Sequence, residues 1–234
     1  MKKETREMIK FYDAYSDTYD DFNGPITTNH YLKKEVSIIS KYLKEGTLVE
    51  LGGGNGKNIL ALSNNKIKTK INIDISFKSC KQNPKEVLNI CANVSSLPFQ
   101  NNTLDNVLMF LFIHHFNFIV ADNFDNLLKV LKQTQSSGGK IFIKESNRFN
   151  PVNRVIHFII KEKNMVNITP LYLLKTLKSN DYIIEAIIYY GFMPPGIPEV
   201  FYKLFCFLEK IIEKIPLIKF LICSHYIIVA KKGN

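Results

Sequence analysis

The chain has 234 residues, a formal net charge of +10, and a composition that is 46% hydrophobic and 22% charged. That length suits one α/β domain with additions and an ample core, and the ordinary composition excludes a disordered or fibrous chain. Cys80, Cys91, Cys206 and Cys223 are scattered without metal-ligand spacing, so free thiols, a cytoplasmic location and no bound metal are expected. The charged start Met1–Glu7 leads into no signal-like apolar run, so export is not expected. Residues 1–45 read as helical, interrupted at Gly24-Pro25. Phe11, Tyr12, Tyr15, Tyr19 and Phe22 form an aromatic stripe there, which either packs on the domain or covers a pocket.

The stretch Thr47-Leu48-Val49-Glu50-Leu51-Gly52-Gly53-Gly54-Asn55-Gly56 follows. A short strand ends beside an acid, glycines recur at every second position, and Asn58-Ile59-Leu60-Ala61-Leu62 begins a helical pattern predicted over Lys57–Asn65. Strand, glycine turn and helix form the nucleotide-binding corner of a doubly wound sheet. The dinucleotide spacing G-x-G-x-x-G fails, because its third place falls on Lys57 or Ile59. The phosphate-loop pattern fails as well, with Leu51 at its first glycine and Asn58 where Ser or Thr should bind magnesium.

A second strand, Thr69–Ile75, carries Asp74 about one helix-plus-strand beyond Glu50, the separation expected of a ribose-binding carboxylate. Asp74 also reads as a strand-end turn residue. Next come Val87–Val94, with Asn93, and then Ser95-Ser96-Leu97-Pro98-Phe99. Thr103–Phe112 is nearly all apolar and reads as a central buried strand, followed by Ile113-His114-His115-Phe116. Asp122–Gln135 has helical spacing, and Gly138-Gly139 reads as the turn into a fifth strand through Glu145.

Acid-x-G-x-G-x-G at 50–56 resembles motif I of class I S-adenosylmethionine (SAM) methyltransferases. The ordered series Leu-Pro-Phe, Leu-Asp, His-His, Leu-Leu-Lys-Val-Leu-Lys and Gly-Gly is similar to their small-molecule-type domain over about residues 40–146. The resemblance implies a Rossmann-like, doubly wound, seven-stranded sheet, mostly parallel with an antiparallel last strand. It implies that Gly52, Gly53, Gly54 and Gly56 pass under the cofactor's methionine and ribose, with Glu50 in the polar network nearby and Asp74 on the ribose. Ile75, Val94 and Phe110 would line the cofactor, and Tyr19-Asp20 would belong to a lid over it. In the family an acid meets the adenine amine where Asn93 stands here. An amide oxygen still accepts, without charge assistance. His115 and His114, at the exit of the fourth strand, are candidate bases if the acceptor loses a proton, and equally a structural pair.

After Glu145 come a loop at 147–151, a short apolar helix at Asn153–Lys161, a helix from Thr169-Pro170 to Lys178, a strand at Tyr182–Tyr190 and a closing strand at His225–Ala230. The whole reads as one domain over 1–234: an N-terminal helical lid at 1–45, a SAM-binding core at 46–146, and a substrate-side region at 147–234. Within the last, a helical insertion occupies about 191–223. Val200, Phe201, Leu204, Leu208, Ile211, Ile212 and Ile215 read as its packed stripe, opposite Lys203, Phe207, Lys210, Glu213 and Lys214. A lipid-facing helix is the other reading. Its charges and Pro216 argue against a membrane span.

Residues 140–234 carry fourteen basic against seven acidic side chains, an excess that can steer an anionic membrane surface, an acidic substrate or nucleic acid. No dense basic arm supports nucleic acid, so RNA methylation is the weaker reading. The expectation is methyl transfer from SAM to a hydrophobic small molecule or lipid-like acceptor. A catalytically inert SAM-fold binding protein is the alternative.

Overall fold

The apolar run at 104–112 is explained by burial on both faces. In the computed structural model, β4 (Leu104–Phe110) turns Val107 and Met109 into one core cluster and Leu108 and Phe110 into another. The structure describes residues 24–114, 123–154 and 168–233, together with Arg6, Ile9, Lys10 and Asp13. Tyr19 and the rest of the aromatic stripe, His115, and most of the Asn153–Lys161 helix lie outside the described residues.

Helix α1 (Gly24–Ser40) leads to β1 (Gly46–Leu51), α2 (Lys57–Ala61), β2 (Ile67–Asp74), α3 (Phe77–Gln82) and β3 (Leu88–Cys91). After β4 come α4 (Asn123–Thr134), β5 (Gln135–Ser146), α5 (Pro170–Ser179), β6 (Tyr182–Tyr190), α6 (Glu199–Ile212), α7 (Pro216–Ile222) and β7 (His225–Lys232). The strands form one seven-stranded sheet in the order β3-β2-β1-β4-β5-β7-β6. Neighbours are parallel except that β7 runs antiparallel to both β5 and β6. This is the expected Rossmann-like sheet. Strand order reverses between β1 and β4, the place where such sheets bind ligands.

Phe124, Leu127, Leu128 and Leu131 of α4, with Leu173 and Leu177 of α5, cover one face of the sheet. Tyr31, Ile38 and Ile39 of α1 and Ile59 of α2 cover the other. Thr169 caps α5 by accepting from the Tyr172 amide at 3.2 Å, and Pro170 stands in its first turn, where a missing N–H costs nothing.

Three local expectations are corrected. The helix predicted over Lys57–Asn65 is only the short α2, ending where the chain turns to reach β2. Gly138-Gly139 is no separate turn: α4 runs directly into β5, and Gly138, at φ 67, lies in the strand where its register against β4 shifts. The third correction concerns α6. Much of its predicted packed stripe faces outward: Val200, Phe201, Leu204 and Ile211 are 80%, 49%, 51% and 42% exposed, beside the exposed Phe207. Glu209, by contrast, is buried.

The cause is a clamp to α1. One Glu209 carboxylate oxygen lies 2.8 Å from His30 Nε2 and also accepts from Lys34 Nζ. The other accepts from the Phe192 amide at 2.8 Å. Lys34 also donates to Glu213, 2.5 Å away, and Glu213 accepts from the Gly191 amide. A buried charge needs such partners, and meeting them fixes the rotation of the helix. Among the described residues, no helix is long and apolar enough to cross a membrane.

Candidate functional site

The site begins at the carboxyl end of β1. Glu50 pairs with Asn72 of β2 and Leu108 of β4, so it sits at the switch point with neighbours on both sides. Its side chain is buried; one oxygen accepts from Asn58 Nδ2 at 3.0 Å and the other from the Ile59 amide at 3.1 Å. Glu50 thereby holds the first turn of α2 against its own strand. Burial pushes its carboxyl up to about 7, although those two hydrogen bonds and nearby Lys144 pull it down.

The four loop glycines divide by what a Cβ would meet. At Gly52 it would strike the Phe112 ring at 2.3 Å, at Gly53 the Asn72 Oδ1 at 2.1 Å, and at Gly56 the Asn83 Oδ1 at 1.8 Å. At Gly54 it would meet nothing within 4 Å. Three glycines are thus required by the protein's own packing, and the fourth opens onto space.

Gly54 is nevertheless firmly held. Its N–H donates to Asp74 Oδ2 at 2.9 Å, and its carbonyl accepts from Asn72 Nδ2 at 3.1 Å and Asn83 Nδ2 at 3.0 Å. Its positive φ of 53 is one that glycine adopts without strain.

Asp74 ends β2 and accepts with its other oxygen from the Ser76 amide at 2.8 Å. It is therefore a turn residue in addition to any ligand role. Burial raises its pKa against the pull of those backbone bonds. Ser76 Oγ caps α3 through the Ser79 amide and donates to Asp13 Oδ1 at 2.5 Å, so Asp13 reaches this corner. Ile75 is partly exposed beside Asp74. Val94 and Phe110 are buried in the two cores. Asn93 is partly exposed, and its Oδ1 accepts from the Ser95 amide at 3.0 Å and from Ser95 Oγ at 2.9 Å. The atom expected to meet the adenine amine closes a turn here.

On the other side of the switch point, β4 ends in a bend. Leu111 has φ 48, a left-handed conformation costly for a residue with a Cβ, and its N–H is anchored to the Lys144 carbonyl at 2.8 Å. The bend lays Phe112 over Gly52 and directs the Ile113 amide to Glu145 Oε1 at 2.9 Å. The second Glu145 oxygen lies 2.7 Å from His114 Nδ1. His114 is thus a buried, oriented imidazole at the end of the sheet where the glycine loop also lies. Tyr19 and His115, the remaining predicted site residues, fall outside the described residues.

Asn72, Asn83, Phe112 and Glu145 belong to this corner and were not singled out in the sequence. Asn72 alone carried a signal, a polar residue between Ile71 and Ile73 in an apolar strand.

Residues 49–143 match the family model of the methyltransferase domain. A Haloferax volcanii protein described as a putative methyltransferase, solved in complex with the Trm112 methyltransferase activator, superposes with a TM-score of 0.69. It is 14% identical, with 98% of each chain covered. A SAM-dependent methyltransferase from Archaeoglobus fulgidus gives 0.67 at 17% identity, covering 96% of this chain and 99% of that one. Geranyl diphosphate C-methyltransferase from Streptomyces coelicolor A3(2), bound to S-adenosyl-L-homocysteine, gives 0.67 at 10% identity, with 99% of each chain covered. No curated protein matches the chain in sequence. The fold is that of class I SAM-dependent methyltransferases.

Proposed function

We propose that this protein transfers the methyl group of SAM to a hydrophobic small molecule or lipid-like acceptor. The observation that carries the cofactor reading is Gly54, held by three hydrogen bonds to Asp74, Asn72 and Asn83 while its missing side chain faces open space. Such a backbone cradle allows close approach of a ligand. Asp74 fits the ribose role: its carboxylate has about four acceptor sites, and the backbone N–H groups it binds, those of Gly54 and Ser76 among them, leave room for a hydroxyl donor. Glu50 holds the first turn of α2 through Asn58 and the Ile59 amide, and so fixes the loop that would pass under the cofactor's methionine end. Asp13 on Ser76 favours the N-terminal segment, with Tyr19-Asp20, as the cover over this corner.

SAM supplies an already activated methyl group, so the protein's work is to align the acceptor and exclude water. For an acceptor that loses a proton, His114 is the proposed base, its ring fixed by Glu145 as general bases commonly are. His115 is the second candidate. The hydrophobic acceptor is favoured by the Streptomyces neighbour, whose description names geranyl diphosphate.

One observation supports the alternative of a catalytically inert SAM-fold binding protein: the Asn93 oxygen, at the place of the family's adenine contact, is already occupied by Ser95. The two readings separate in one assay, with methyl-labelled SAM and a panel of prenyl, fatty acyl and phospholipid acceptors. The enzyme moves label into the organic phase, and His114→Gln lowers turnover by about 10²–10⁴ at unchanged SAM affinity. SAM binding with no transfer to any acceptor would favour the binder.

A further inference from the structure

The outward face of α6 and α7 is apolar, whereas α1 and α4 turn Tyr31, Ile39, Leu128 and Leu131 into the cores. Val200, Leu204, Phe207 and Ile211 lie at spacings of four, three and four residues along α6, one continuous stripe on a helix, and all are exposed. Leu217 and Leu221 of α7 are 71% and 42% exposed, and Phe149 stacks on Phe220 of α7 at 4.6 Å between ring centroids while itself partly exposed. Scattered exposed apolar residues are normal, but a helical stripe continued onto a second helix marks an interaction surface.

The charges around the stripe identify what it meets. Residues 199–222 hold Lys203, Lys210, Lys214 and Lys219 against Glu199, Glu209 and Glu213. Glu209 and Glu213 are turned inward onto His30, Lys34 and the amides of residues 191 and 192. Among the described residues no ion pair holds any of the four lysines. The clamp therefore removes two negative charges from the surface and leaves a cationic rim around an apolar stripe. That is the chemistry of a helix lying in the plane of an anionic bilayer, apolar side in the acyl boundary and lysines at the headgroups.

Position adds a second argument. Tyr190 at the end of β6 and Ser146 at the end of β5 both align with His225 at the start of β7. The α6–α7 insertion thus emerges at the same end of the sheet as the glycine loop and His114.

We infer that α6 and α7 form a docking face for an anionic phospholipid surface, holding the ligand-binding end of the sheet at the bilayer. This holds whether or not the pocket transfers a methyl group. The test is co-sedimentation of the full chain with vesicles of phosphatidylcholine alone or mixed with phosphatidylglycerol, with SAM calorimetry as an independent check on the fold. The parent is expected to pellet with mixed vesicles, far less with phosphatidylcholine alone, and less as salt is raised. Lys203→Gln, Lys210→Gln and Lys214→Gln together are expected to weaken partitioning by roughly a hundredfold. Leu204→Ser with Phe207→Ser is expected to abolish it, with SAM binding intact in both variants. No pelleting of the parent, or equal pelleting of parent and variants, overturns the inference. So does a concentration-dependent dimer of the parent that the Leu204→Ser, Phe207→Ser variant abolishes while vesicles have no effect, since the face would then meet a second copy.

Discussion

Glu50 and Glu209 are both buried glutamates, and their environments push them in opposite directions. Around Glu50 stand an amide side chain and a backbone N–H but, among the described residues, no cation in contact, and burial lifts its carboxyl to about 7. Glu209 has His30, Lys34 and the Phe192 amide, and these outweigh burial and hold it at about 2. The same side chain serves two purposes. At the end of α6 it is a finished structural clamp, whereas beside the glycine loop burial favours the neutral carboxyl. The first perturbation, that of Glu50, comes from burial, at the switch point where such sheets bind ligands. Perturbation by ion pairing between α1 and α6 is architecture.

The largest expected effect comes from breaking the clamp. Glu209→Ala leaves His30, Lys34 and the Phe192 amide without their acceptor and should cost about 3–5 kcal/mol in chemical denaturation. If the loss is under about 1 kcal/mol, the ion pairs behave as surface contacts and the contrast with Glu50 collapses.

Next in size is the pH dependence carried by Glu50. Its folded pKa lies above the unfolded value of 4.5, so between about 4.5 and 7 the unfolded chain has released a proton that the folded chain keeps. Stability from this group is therefore present below pH 4.5 and lost as pH rises to about 7, by about 3 kcal/mol. Glu209 has the opposite sign, its contribution present above 4.5 and lost as pH falls toward 2. Denaturation of the parent and of Glu50→Gln across pH 4–8 isolates the Glu50 share. The parent's stability should fall relative to the variant's over that window, and parallel curves would mean that Glu50 is not held protonated by burial.

A smaller effect sharpens the site itself. Asp74→Ala removes the acceptor of the Gly54 and Ser76 amides together with the proposed ribose contact. A lost hydrogen bond to a charged group costs about 1.5–3 kcal/mol, so SAM binding should weaken roughly ten- to a hundredfold. Unchanged affinity in the folded variant would leave Asp74 as a turn residue alone.

Much of this architecture was legible because it follows from local pattern. The strand at Tyr182–Tyr190 has the bounds its sequence predicts, and the apolar run of β4, the acid-and-glycine corner and Asp74 at a strand end all appear where expected. The failures are non-local. Lys34 and Glu209 are 175 residues apart in sequence, and their pairing, which periodicity cannot register, decides which side of α6 is buried. Both faces of that helix carry apolar residues at helical spacing, so the sequence offered two rotations and the ion pairs selected one. The left-handed bend at Leu111 was hidden for another reason: an apolar run continues through it, and the conformation is imposed by anchoring to β5 and not by residue type.

The central claim is that the space in front of Gly54 belongs to SAM, and calorimetry with SAM, S-adenosylhomocysteine and NAD tests it most directly. The parent should bind SAM and S-adenosylhomocysteine but not NAD. Gly54→Val, which adds a side chain where the protein itself has nothing within 4 Å, should bind much more weakly. Binding of NAD in place of SAM by the parent, or undiminished SAM affinity in a folded Gly54→Val protein, would contradict it.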